Sequence, residues 1–428
     1  MRVAIYEPYP RVCGPMTWTN HLKAGFIALG HHCDVVTFTR SGKPKVMWGE
    51  GQMRNGIHWT SKDIDVTGPF RGSRNTLSDY DVIILSDVRT VMHDNEAKKG
   101  KAYLQADLPD YLSVLKATDK PFTFALHGNN YPPNEVPYAP QLVELPNFSG
   151  MAITHSPTSF ILSKELWPHV SWRNSPLPYQ MVSHYESTDV PHDGKSTSKV
   201  VGITGRYITT KGSHVPAVVA AEGHITFDTK VELHGACSMS LAASATYKTY
   251  EALHLGKPYT FPGKRHGVVK PGERVETGGD VIRPYKWDVE CPGNVKVSYL
   301  GGYEDGLKVC KRLTTHVDLT AASFSDGMEY SQFEAIDAGC MQVSVESMWS
   351  DDFQGEVVPS VKSWPGETSL ITNAYYRDTL RLIGEAINRT LELDTKKRRE
   401  IANFNRRVLD DKHNPAVVAA TFLRALGI

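Results

Sequence analysis

The feature that most constrains this chain is an alternation that runs, stops and starts again. Short apolar runs rich in β-branched residues alternate with stretches of helical periodicity, the pattern of parallel sheets covered by helices on both faces. In the first half the runs are Val3–Tyr6, Asp34–Thr39, Val82–Leu85, Pro121–Leu126 and Ala152–Thr154. A turn at Cys13-Gly14-Pro15-Met16 follows the first run, and a helix from Thr17 to Leu29 closes on Gly30. Between residues 173 and 198, from Arg173-Asn174 onward, periodicity gives way to Pro, Ser, Asp, Gly and His, which marks a domain boundary. The pattern then restarts with Lys199–Thr204, Val231–His234, Pro258–Phe261, Val295–Leu300, Val317–Ala321 and Met341–Val345. Helices are expected over Glu329–Ala338, Asn373–Leu391, Thr395–Asp410 and Pro415–Leu426.

A chain of 428 residues exceeds one ordinary core and fits two domains of about 200 residues each. The expected division is a Rossmann-like domain over 1–180, a linker over 181–198, a second Rossmann-like domain over 199–410, and a terminal helix over 411–428 returning to the first domain. Two doubly wound α/β sheets bind ligands beyond the carboxyl ends of their strands, so the site is expected in a cleft between the domains.

Composition adds exclusions. Hydrophobic residues at 40% and charged residues at 22% suit a soluble globular enzyme and argue against disorder. A formal net charge of zero announces no nucleic-acid partner, although a local basic patch stays open. The opening Met1-Arg2-Val3-Ala4-Ile5-Tyr6-Glu7 lacks the apolar run of a signal peptide, and no stretch approaches the ~20 apolar residues that span a bilayer. Six cysteines lie far apart without a C-x-x-C pair, which suits buried free thiols. A cytoplasmic protein without a membrane partner is expected.

Two motifs carry chemistry. Gly202-Ile203-Thr204-Gly205-Arg206-Tyr207-Ile208-Thr209-Thr210-Lys211-Gly212 leaves a strand and offers flexible backbone, an arginine and a lysine. Glycines let backbone amides approach a diphosphate, Arg forks onto phosphate oxygens and Lys adds a point charge. The bland alternative is a strand-to-helix turn with two solvated cations. The second motif runs from Asp326-Gly327-Met328-Glu329 through Glu334 to Gly339. Amides at a helix N-terminus attract phosphate or sugar oxygens, and carboxylates further along accept bonds from hydroxyls. Its alternative is a surface helix whose acids favour the positive end of the dipole. That alternative suits Glu329 better than Glu334, which sits among Phe333, Ala335 and Ile336 and needs a partner.

In this order and spacing the motifs resemble the retaining GT-B glycosyltransferases, where a G-R-x4-K-G segment binds the donor diphosphate and an E-x7-E segment the donor sugar and ribose. Here the first acid of that pair is Asp326, a departure. Gly205-Arg206 with Thr209-Thr210-Lys211-Gly212, Glu329-Tyr330-Ser331-Gln332-Phe333-Glu334 and Tyr299-Leu300-Gly301-Gly302-Tyr303-Glu304 are similar to the phage DNA α-glucosyltransferases. The first half matches only through its strand pattern and Ile153-Thr154-His155-Ser156.

The resemblance implies a GT-B fold of two Rossmann-like domains, acceptor side first and nucleotide-sugar side second. It implies a nucleoside-diphosphate sugar as donor, with UDP-sugar the first choice, and retention of configuration. No metal or other cofactor is expected, since no acidic metal-binding cluster is evident and the Arg/Lys pair can neutralise the phosphates. Arg206 and Lys211 would grip the diphosphate, Glu334 the ribose, and Glu329 or Asp326 the sugar. Gly14, Gly205, Tyr303, Gly327 and Met328 would line the donor site. His127, at the strand end Phe124-Ala125-Leu126-His127-Gly128-Asn129-Asn130, would orient acceptor or donor hydroxyls. The phage enzymes carry an acid where this chain has Gly128, which removes that candidate acceptor base.

The resemblance also implies double-stranded phage DNA carrying a hydroxymethyl base as acceptor. Phosphate contacts would fall to Arg71 and Arg74, to Lys98, Lys99 and Lys101, or to Lys264-Arg265-His266, while Lys396-Lys397-Arg398-Arg399 reads as a solvated helix face. Tyr131, Tyr138 and Trp172 are available aromatics for a flipped base. Two other readings stay open: a GT-B transferase acting on a glycan or small molecule, and a sugar-nucleotide-binding protein without catalysis.

Overall fold

The computed structural model describes residues 1–6, 14–36, 53–54, 57–58, 76–86, 115–116, 118–127, 142–183, 189–191, 199–205, 209–235, 259–260, 268–269, 287–301, 305–322, 328–347, 350–364 and 374–428. The first half contains β1 (Arg2–Tyr6), α1 (Gly14–Ala28), β2 (His32–Val36), a two-residue hairpin of β3 (Met53–Arg54) and β4 (Ile57–His58), β5 (Val82–Leu85), β6 (Phe122–Leu126), β7 (Met151–Thr154), α2 (Pro157–Leu166) and β8 (Ser171–Asn174). The second contains β9 (Lys199–Ile203), α3 (Val215–Ala221), β10 (Thr229–His234), β11 (Tyr259–Thr260), β12 (Val268–Val269), β13 (Trp287–Cys291), β14 (Val295–Gly301), α4 (Gly306–Cys310), β15 (Thr315–Asp318), α5 (Tyr330–Ala338), β16 (Met341–Val345) and β17 (Glu356–Val358). Three helices close the chain: α6 (Ala374–Glu392), α7 (Thr395–His413) and α8 (Pro415–Ala425).

Six parallel strands form the first sheet in the order β2-β1-β5-β6-β7-β8. The second is ordered β13-β14-β10-β9-β15-β16-β17, parallel except for the antiparallel edge strand β13. Central strands such as β5 and β6 are buried at every position, as strands covered on both faces must be. In each sheet the chain winds outward on one side and then crosses to the other. The direction reverses between β1 and β5 in the first sheet and between β9 and β15 in the second. A crevice opens at the carboxyl ends of strands at such a point, the place where open α/β sheets take their ligands.

The apolar interior joins the two sheets. One cluster packs on the second sheet through Val201, Leu233, Val297 and Leu380, and another fills one face of the first through Phe122, Phe124 and Trp172. A third combines Trp18, Leu22 and Phe26 of α1 with Met328, Phe333 and Ile336 around α5, and with Val418 and Phe422 of α8. The Trp18 and Phe422 rings meet at 5.6 Å, so the last helix lies on the first. No helix is long and apolar enough to cross a membrane among the described residues.

Several local expectations are corrected. Gly14, expected in a turn, is the first residue of α1. Arg173-Asn174, assigned to the domain boundary, belongs to β8, whose alternating burial suits a sheet edge. Pro258–Phe261 was expected in the main sheet, but among the described residues Tyr259–Thr260 pairs with Val268–Val269 as a separate antiparallel ribbon. The strand expected over Val317–Ala321 lies earlier, at Thr315–Asp318. Trp172 is a core side chain against Phe124 and Trp167, not a loop aromatic. Arg398 is buried and donates to the carbonyl of Pro191 at 2.8 Å, so the basic run is not a uniformly solvated face.

Candidate functional site

The second sheet's reversal point is built from the ends of β9 and β15. β9 runs through Thr204 into Gly205, whose φ of +118° favours glycine. A short 3-10 turn, Thr209–Lys211, brings the chain back over the sheet. It is fastened to the end of β15 by the Ala321 N–H donating to the Thr210 carbonyl at 2.8 Å. Lys211 is thereby carried inward until it is only 6% exposed. Its ammonium lies 2.8 Å from Glu329 Oε2, an ion pair joining residues 118 apart in sequence.

Glu329 is the N-cap residue of α5, and Gln332 Oε1 accepts its backbone N–H at 2.9 Å. That bond and Gly339 at the far end, with φ +82°, define the helix. One turn further, the Glu334 carboxylate lies against the bare Cα of Gly306. A β-carbon there would stand 2.0 Å from Glu334 Oε2. This oxygen is buried and has no hydrogen-bond partner among the described residues. Burial, assisted by the Asp305 and Asp337 carboxylates and opposed by Lys211, pushes the Glu334 carboxyl up to about 8.

Two further groups surround Lys211, and neither was singled out by sequence. Asp318, at the end of β15, is buried and raised above the usual carboxylate range by that burial, with Lys211 acting in the opposite sense. Thr320 donates to its Oδ1 from both N–H and hydroxyl, at 3.0 and 2.7 Å. His316, fully buried two residues earlier, meets the Thr204 hydroxyl at 2.9 Å, and burial lowers it to about 4. A polar pair spaced by two on an apolar strand was the available signal, since both side chains leave one face of the sheet. Among the described residues no cluster of His, Cys, Asp and Glu is placed to hold a metal ion.

At the first sheet, His127 follows β6 and is buried. Its Nε2–H donates to the Ser86 carbonyl at the end of the neighbouring strand β5. Trp18 meets the ring edge-on at 4.6 Å, and His155 stacks on it at 5.3 Å. His155 donates from Nδ1 to the Ser175 carbonyl at 2.8 Å, and burial lowers it to about 4. The structure thus gathers Gly205, Lys211, Glu329 and Glu334 around α5 and places His127 in a separate aromatic stack. The Met328 side chain joins the apolar cluster shared with α1, and Gly14 opens that helix. Arg206, Tyr303, Asp326, Gly327, Gly128, Tyr131 and Tyr138 lie outside the described residues, as do the basic positions Arg71, Arg74, Lys98, Lys99, Lys101, Lys264, Arg265 and His266.

The C-terminal end of α5 is tied to the chain crossing between the sheets. Asp337 is fully buried and accepts the Tyr179 hydroxyl at 3.1 Å and the N–H groups of Val182 and Ser183 at 2.8 Å each. The Tyr330 hydroxyl donates to the Pro178 carbonyl at 3.1 Å, and His21 of α1 stacks on the Tyr330 ring at 5.4 Å. One helix therefore carries Glu329 and Glu334 and also holds the crossing segment, through Tyr330 and Asp337.

No family model and no curated protein matches the sequence. The fold has solved relatives that cover nearly the whole chain. Anabaena HepE, in complex with UDP and glucose, superposes with a TM-score of 0.60 at 12% identity, covering 100% of this chain and 99% of its own. A glycosyltransferase from Rickettsia africae gives 0.56 at 11% identity, covering 99% and 98%. An alpha-glucosyltransferase in complex with UDP and a 13-mer DNA containing an HMU base gives 0.54 at 14% identity, covering 100% of both chains. The architecture is that of the GT-B glycosyltransferases, two Rossmann-like α/β units in one chain.

Proposed function

We propose that this chain is a retaining glycosyltransferase that moves a sugar from a UDP-sugar to a hydroxymethylated pyrimidine in phage DNA. The observation that carries the donor half is the buried Lys211 ammonium, held beside Gly205 and the N-terminus of α5 at the second sheet's reversal point. A cation and helix-end amides there suit a diphosphate, and they meet the negative charge that grows on it as the glycosidic bond breaks. HepE and the alpha-glucosyltransferase both hold UDP in their crystals, which supports uridine as the nucleoside.

In this reading Arg206 joins Lys211 on the diphosphate, while Glu334 takes the ribose hydroxyls with its buried Oε2, which has no partner among the described residues. Glu329 and Asp326 face the donor sugar, with Gly14, Gly205, Tyr303, Gly327 and Met328 around them. Because Glu329 is bound to Lys211 here, arrival of the diphosphate requires the pair to open or to share the ammonium. His127, fixed by Ser86 and Trp18, orients the reacting hydroxyls from the first sheet.

The DNA acceptor rests on the phage-like residues of the second half and on the DNA-bound alpha-glucosyltransferase. The competing acceptor class is a glycan or small molecule. Incubation with radiolabelled UDP-sugars and duplexes containing hydroxymethylcytosine, hydroxymethyluracil or unmodified bases separates them. Label on the modified duplexes alone, in the α configuration by NMR, is the expected result. Label only on a glycan would sink the DNA acceptor, and no transfer from any UDP-sugar would sink the donor.

A further inference from the structure

The second-sheet site holds a further buried group, the hydroxyl of Ser331. It stands in the first turn of α5, two residues past Glu329, and is 7% exposed. Its Oγ is buried and finds no hydrogen-bond partner among the described residues. A hydroxyl in that state is costly unless a ligand completes it. A β-carbon built on Gly205 would lie 3.9 Å from this oxygen and 3.7 Å from Lys211 Nζ. A backbone without a side chain, an ammonium and a hydroxyl thus border one small volume. The start of α5 is the positive end of its helix dipole, which favours an anion there.

We infer that Ser331 is a ligand of the donor's second phosphoryl group, the one that carries the sugar. This rests on the proposed donor reading and adds a residue and a specificity to it. The phosphoryl group occupies the space over Gly205, Lys211 neutralises it and the Ser331 hydroxyl donates to one of its oxygens. A nucleoside monophosphate ends before that space. Ser331 therefore contributes to binding of diphosphates and not of monophosphates, and it discriminates between them.

Calorimetric titration of the full chain tests this with UDP, ADP, GDP and TDP and the four matching monophosphates. Ser331→Ala should bind the preferred diphosphate about tenfold or more weakly, as loss of a hydrogen bond to a charged oxygen implies. The matching monophosphate should change by less than about twofold, and Ser331→Thr, which keeps the hydroxyl, should retain most of the affinity. Ser331→Cys keeps the volume with a weaker donor and carries the same test should the alanine variant fail to fold. Unchanged diphosphate affinity in Ser331→Ala, or an equal loss for the monophosphate, would overturn the Ser331 assignment and leave the donor reading standing. A wild-type protein that binds none of the four diphosphates overturns both.

Discussion

At the carboxyl end of the second sheet, Lys211, Glu329, Asp318 and Glu334 crowd around one helix end and one lysine. At the carboxyl end of the first, Trp18, His127 and His155 stack against one another, with backbone carbonyls fixing the imidazoles. The two regions occupy equivalent places in similar sheets but solve different problems. A buried ammonium is costly unless it is paired, and here Glu329 supplies that pair; on the proposed reading a diphosphate competes for it. An aromatic stack holds shape rather than charge, which suits a group that aims hydroxyls.

The contrast can be broken by experiment, beginning with its largest expected effect. Lys211→Ala should weaken UDP binding by about 100-fold, because a buried charge pair to phosphate is lost. UDP affinity within a few-fold of wild type, read by calorimetry, would remove charge as the basis of the second region. His127→Ala should lower kcat about 100-fold while UDP affinity holds. Equal losses in both would place His127 with the donor and dissolve the division. Asp337→Asn tests whether the crossing chain depends on α5. An amide oxygen can serve only one of the Val182 and Ser183 N–H groups, so urea unfolding should show a loss of about 2–3 kcal/mol.

The smallest effect belongs to Glu334. Its folded value of about 8 lies above the 4.5 of an ordinary carboxyl, so the native state keeps a proton that the unfolded chain releases. That contribution to stability is fully present below 4.5 and is lost as pH rises through 8. Glu334→Gln stays neutral throughout and removes the decline. Between pH 5 and 9 wild type should lose roughly 2–4 °C of Tm relative to the variant. Parallel melting curves would show that the carboxyl is not held protonated.

Legibility in the sequence followed burial. Val82–Leu85 and Lys199–Ile203 read as strands because strands covered on both faces are continuous apolar runs. Ser171–Asn174 lies at a sheet edge and alternates, which resembles loop composition, and Trp287–Cys291 is an antiparallel edge with acids facing outward. Lys211 and Glu334 are expected at the donor site by motif alone. That Lys211 meets Glu329, and that Asp318 and His316 lie beneath them, depends on strands meeting 100 residues or more apart.

What the sequence determined alone was the class of fold and the residue types available to hold a diphosphate, because burial periodicity and local spacing are one-dimensional. Which charge faces which was decided by the tertiary structure. Strand order brings the ends of β9 and β15 together, and only that adjacency drives Lys211 into the interior beside Glu329 and sets Ser331 over Gly205. Desolvation and pairing act through space, and no spacing along the chain encodes them.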